Sequence, residues 1–217
     1  MTSADRGTSA TMRQLRLLSL LDAASRVGLE PLPLRPLHII AYIADAMAPV
    51  WDLPIIDGQI LKRAVPYYPA LQADLDRLVG QGLVAVSDVR YASSGSHWSF
   101  DAKYELNRAL ADRVLSSAET FPRFSSESCY VHEVVFATSG LALEGLERVP
   151  QVDAAYSDPF VDLGGLIDVE RDPGEGDNAS AEVAFRFGHL LTGDGGATTA
   201  EMLNLYVRQL YARLEVA

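Results

Sequence analysis

Apolar positions first recur at helical spacing over 12–27. Leu15, Leu18 and Leu21 lie three apart, and Leu17, Leu20 and Ala24 widen the stripe, leaving Arg13, Arg16, Asp22 and Arg26 for the wet side. Gly28 is placed to end this helix, and Pro31 and Pro33 force an extended connector, because a residue before proline avoids helical geometry. A second helix is predicted over 35–48, with Pro36 tolerated in its first turn. Leu37, Ile40, Ala41, Ala44 and Met47 form one face, with Ile39, Tyr42 and Ile43 beside it, so this helix is apolar nearly all round and belongs at the centre. Over 69–79, Leu71, Leu75, Leu78 and Val79 again fall at helical spacing, and Gly80 and Gly82 can end the helix cheaply. The period then switches to two. Val84, Val86 and 89–91 predict a strand, Ser93 to Ser96 a turn, and Trp98, Phe100, Tyr104 and Leu106 a returning strand.

Helices followed by a tight turn and a hairpin are the signature of a winged helix-turn-helix. The expected fold is therefore mainly α with a small β-hairpin wing. The winged-helix domain covers 12–120, after a disordered tail at 1–11 and before a mainly helical C-terminal region over 121–217. Asn107 can cap a fourth helix that runs through Leu115. Phe121 to Phe124 reads as a linker with aromatic anchors. Residues 125–146 read as one long helix despite the β preference of Val131, Val134, Val135 and Phe136. A turn-rich element follows over 152–169, then an acidic, glycine-rich loop over 170–181, a short apolar piece over 184–191 and a second glycine-rich loop over 192–197. Thr198 to Glu201 has capping-box spacing and starts a final helix. That helix carries two apolar rows, Leu203/Val207/Leu210/Leu214 and Met202/Leu205/Tyr206. One is expected to pack inward and the other to meet a second copy of the chain or a partner.

Charge changes the picture. The 217-residue chain carries a formal charge of −11, so a nucleic-acid duplex repels it at long range and DNA contact needs a local basic patch. Lys62, Arg63, Arg77 and Arg90 are the possible DNA contacts, but Asp57, Asp74 and Asp76 stand beside them. Trp51, Tyr67, Tyr68 and Trp98, with Leu205 and Tyr206, are the interface candidates, since aromatic side chains bring large contact area at low entropy cost. The lone Cys129 excludes an internal disulfide and reads as a small buried helix residue. The N-terminal residues lack the apolar core of a signal peptide, and no apolar run reaches bilayer length, so a cytoplasmic protein is expected.

Chemistry-bearing motifs are sparse. His38 lies at an apolar helix start and reads as a satisfied buried histidine. His132 and Glu133 lack the second histidine of a zinc-peptidase helix, and His97 and His189 have no second ligand nearby in sequence. Gly193 to Gly196 lacks the lysine and Ser/Thr of a phosphate loop, and Asp194 would repel phosphate. Asp153, Asp158, Asp162 and Asp168 lack calcium-loop spacing and are explained by turns and caps. No catalytic residue, metal ligand or cofactor is expected.

At Ala48-Pro-Val-Trp-Asp-Leu-Pro54, at Leu75-Asp-Arg-Leu-Val79 with Gly82-Leu-Val84, and at Tyr156-Ser-Asp-Pro159 to Ile167-Asp168, the chain resembles the middle component of bacterial ABC three-component conflict systems, the group that includes Lamassu-type anti-phage defence. The resemblance would cover most of the chain through short motifs. It implies an operon that also encodes an SMC-like (Rad50-like) ATPase and a variable effector, often a nuclease. It implies for this chain a small non-catalytic subunit, with DNA reached only indirectly through the complex. A DNA-binding winged-helix regulator is the other reading; it requires Arg77, Lys62, Arg63 and Arg90 to cluster despite the neighbouring acids.

Overall fold

The computed structural model describes residues 3–56, 59–94, 97–167, 169, 178–190 and 196–216, with side chains at 3–9 and 92–99 outside that description. Helices hold 63 % of the described residues, and a three-stranded antiparallel sheet accompanies them. The first helix, α1 (Ser3–Arg26), begins well before the expected start at Met12. Strand β1 (Leu32–Pro33) uses the proline-enforced extended connector. Helix α2 (Leu34–Met47) follows, and a 3-10 turn (Ala48–Trp51) closes it at Pro49. After β2 (Ile60–Leu61), α3 (Pro69–Gly80) starts on a proline whose missing N–H costs nothing in the first turn.

Gly82, at φ +74°, turns the chain out of α3 into β3 (Val84–Ser94), which pairs with β4 (His97–Leu106). Their register shifts between Ser87 and Arg90, where Asp88 takes a positive φ. β1 adds to the far edge of β4, giving the order β1-β4-β3. Gly95 and Ser96, the middle of the expected turn, lie outside the described residues, as do Asp57-Gly58 and 170–177.

Helices α4 (Arg108–Ala118), α5 (Pro122–Ser139), α6 (Leu143–Val152), α7 (Ala179–Leu190) and α8 (Thr199–Val216) complete the chain, with β5 (Leu166–Ile167) paired antiparallel to β2. The long helix expected over 125–146 is two helices, broken around Gly140. Phe121 is exposed, and Phe124 sits in the core inside α5 rather than in a linker. Asn107 occupies the position before α4, yet its amide donates to the Gly82 carbonyl at 2.9 Å instead of capping the helix. Thr198 and Glu201 do form the capping box: Thr198 N–H donates to Glu201 Oε2 at 2.8 Å and Glu201 N–H to Thr198 Oγ1 at 3.2 Å.

One apolar core runs from Leu17 through α2, α3 and the sheet to Leu214 without a break near residue 120. α1 packs on α3, α4, α5 and β4, while α2 packs on α5, α6 and α7, so α5 is shared by both. This crowding corrects the wet side assigned to α1: Arg16 is 2 % exposed and Asp22 is also buried. Arg16 Nη1 lies 2.5 Å from Asp45 Oδ1 and Nε lies 3.0 Å from Glu127 Oε1, so its charge is matched by α2 and α5. Asp22 is held by Arg26 at 2.8 Å and by Arg108, with His132 at 3.4 Å. Burial works against the charged Asp22, but these guanidinium bonds outweigh it and hold the carboxyl below its ordinary value. Cys129 is exposed, a second correction, because it lies on the solvent side of α5 between the buried Ser128 and Tyr130.

Candidate docking surface

Of the expected interface aromatics, two belong to the core. Tyr68 is fully buried; its ring stacks on His38 with centroids 6.2 Å apart, and its N–H donates to His38 Nδ1 at 3.4 Å. Tyr206 is 1 % exposed, and its hydroxyl donates to Asp153 Oδ2. The row expected to leave α8 uncovered is met by the chain's own α7, where Met202 lies so close to Gly188 that a Cβ there would stand 2.7 Å from the sulfur. Leu205 is half-buried, and Trp51 is half-buried with its ring 5.0 Å from Tyr130. The side chain of Trp98, like that of His97, lies outside the described residues.

Tyr67 is half-buried. The Arg63 guanidinium sits 4.0 Å from its ring centroid, and His38 is 5.2 Å away on the inner side. Tyr67 borders a groove of about 590 Å³ with Arg35, Gln72, Tyr91 and Phe100, the last two being cross-strand partners with rings 5.3 Å apart. His38 forms its floor. Burial pushes that imidazole down from 6.5 to about 4, so it is neutral and accepts the Tyr68 N–H.

The segment between β2 and α3 also anchors the loop at 157–166. Lys62 exchanges backbone hydrogen bonds with Gly164 at 2.7 Å and Gly165 at 2.8 Å, and its ammonium donates to the Asp158 carbonyl at 2.6 Å. The Tyr156 hydroxyl accepts the Arg63 N–H and donates to the Arg63 carbonyl, both at 3.0 Å. Asp158 Oδ1 accepts the Phe160 N–H at 2.9 Å, an Asx turn. Although held at both ends, the loop displays Phe160 at 94 %, Leu163 at 78 % and Leu166 at 51 % exposure. The sequence pattern gave this stretch as part of the turn-rich element over 152–169 but not the exposure of its apolar residues, which follow neither period.

Each cationic candidate meets a group of its own. Lys62 is engaged by Asp158, and Arg63 lies on Tyr67. Arg77 pairs at 2.7 Å with Asp74, a buried carboxylate that Arg13 also binds at 2.7 Å. Arg90 stands opposite Asp101 in the strand register and borders a second groove of mixed charge with Arg35, Asp88, Lys103, Glu144, Glu147 and Arg148.

Asp153, discounted as a cation ligand from its spacing, closes α6 and gathers a buried polar network. It accepts from Tyr42, Tyr206 and Ser180, and from the N–H groups of Ala155 at 3.0 Å and Tyr156 at 2.8 Å. Burial, then the adjacent carboxylate, pushes both tyrosine hydroxyls well above their ordinary range. Asp153 and Ser180 are fully buried, so this network holds helices together and does not face a substrate. Among the described residues no group of three His, Cys, Asp or Glu side chains could hold a metal ion, and no helix is long and apolar enough to cross a membrane. The loop at 193–195 and Asp168 lie outside the described residues. No protein family, curated protein or solved structure matches the chain.

Proposed function

We propose that this chain is a non-catalytic winged-helix accessory subunit of an SMC- or Rad50-like ATPase complex in anti-phage defence, coupling the ATPase to an effector such as a nuclease. The supporting observation is the order α1, β1, α2, β2, α3, β3, β4 with the short strand β1 added to the hairpin's edge. On the winged-helix reading α3 takes the role of the DNA-reading helix. Its exposed side carries Ala73, Asp76 and Arg77, and Arg77 is tied to Asp74. A helix so placed, without a cationic face and in a chain of charge −11, suits protein docking better than a duplex. The Asp153 network is buried and supports helix packing rather than catalysis.

The test is co-expression with the products of the adjoining genes, followed by affinity purification and size-exclusion chromatography. An SMC-like ATPase that co-elutes with the chain is the expected result. An operon without such an ATPase, or an ATPase that elutes separately, overturns the reading. Submicromolar duplex binding by the isolated chain would favour the regulator instead.

A further inference from the structure

We propose that Glu127 holds a proton in the folded chain, so that the seam where α1, α2 and α5 meet closes firmly at lower pH and loosens as pH rises. Two acids share one cation there. Arg16 from α1, Asp45 from α2 and Glu127 from α5 meet inside the core, exposed by 2 %, 0 % and 2 %. Arg16 reaches Asp45 through Nη1 at 2.5 Å and Glu127 through Nε at 3.0 Å. Fully ionised, the three groups would bury one uncompensated negative charge, and a buried acid in that position takes up a proton instead.

Asp45 is the acid that keeps its charge. Its Oδ1 lies at the shorter distance from the guanidinium and also accepts the Ile56 N–H at 3.4 Å. Glu127 stands farther off, and its Oε1 accepts no hydrogen bond among the described residues. The elements around it bring little relief. On α1, Asp22 is committed to Arg26 and Arg108, and Arg13 to Asp74. On α5 itself, Arg123 favours the charged acid, but less than Asp45 opposes it, and the Tyr130 hydroxyl donates to the Ala44 carbonyl. The buried residues of α8 are apolar apart from Tyr206, whose hydroxyl goes to Asp153. Burial, opposed by Arg16 and reinforced by Asp45, lifts the Glu127 carboxyl above its ordinary 4.5. A carboxyl raised on folding contributes its stability below the unfolded value and loses it as pH climbs through the folded one.

The experiment follows infrared spectra and urea unfolding across pH for wild type, Glu127→Gln and Asp45→Asn, with circular dichroism to verify folding. Folded wild type should show the carbonyl stretch of a neutral carboxylic acid that persists after the exposed carboxyls have ionised. Glu127→Gln should lack it. Above pH 4.5 the folding equilibrium of wild type should fall relative to Glu127→Gln, by up to about tenfold per pH unit, the slope of one proton. The comparison cancels the opposite trend of His38, which both chains share. Asp45→Asn leaves one acid for one guanidinium, so its band should fade at lower pH than in wild type. A wild type without the band, a band that survives in Glu127→Gln, or parallel stability curves overturns the proposal. If Glu127→Gln fails to fold, wild type and Asp45→Asn decide: a lower fading pH in Asp45→Asn supports the shared cation, and an equal one overturns it.

Discussion

At Asp153 the ends or faces of α2, α6, α7 and α8 meet on one carboxylate, through Tyr42, Ser180 and Tyr206. Asp153→Asn keeps the volume but turns an acceptor into a donor facing hydroxyls that already donate. The expected cost is about 2–3 kcal/mol, the range for hydrogen bonds to a charged group, read from urea unfolding. An unchanged midpoint would show that the network does not hold these helices. His38 gives a second residue-scale prediction. Its folded value of about 4 lies below the ordinary 6.5, so between those pH values the unfolded chain binds a proton that the folded chain excludes. Its contribution to stability therefore falls as pH drops from 6.5 to 4, by up to about 3 kcal/mol, and levels off below. His38→Asn retains an acceptor near Nδ1 without a titrating ring. Its stability should lose less than wild type over that window, and parallel curves would refute the assignment.

Helix α3 shows periodicity at its most informative. Leu71, Leu75 and Leu78 are buried, as their spacing predicts, and Asp74 is buried with them because Arg13 and Arg77 reach it. Leu78→Ala should cost about 2–5 kcal/mol by leaving a cavity against the sheet and α1, seen as a lowered melting temperature. α8 teaches the opposite lesson. Its row Leu203/Val207/Leu210/Leu214 is buried as expected, but Tyr206 also turns inward and Met202 lies against α7. A second apolar row on a helix need not mean an uncovered face when another helix of the same chain can reach it. Here α7 does, from a stretch the pattern showed only as a short apolar piece.

For the whole molecule, net charge makes the plainest prediction: the isolated chain should bind duplex DNA negligibly at about 0.15 M salt in a mobility-shift assay, because the formal charge is −11 and Arg77, the cation on α3, is paired with Asp74. Submicromolar binding would count against it. The sequence by itself determined the mainly helical class, the central place of α2, the buried face of α3, the hairpin and the capping box at Thr198. These follow from local rules, since burial period, proline, glycine and cap chemistry act over a few residues and need no knowledge of what lies across the fold. The tertiary structure alone decided where the polar residues went. Arg16 is buried because Asp45 and Glu127 arrive from other helices, and Asp153 because tyrosines from α2 and α8 reach it. The same holds for the display of Phe160, held out by a backbone clasp on Lys62 from almost a hundred positions earlier in the chain. A charge can be buried only where distant partners compensate it, and the backbone around Phe160 is set by a clasp whose two halves lie far apart in the chain. Both conditions are set by long-range contacts that no local pattern records.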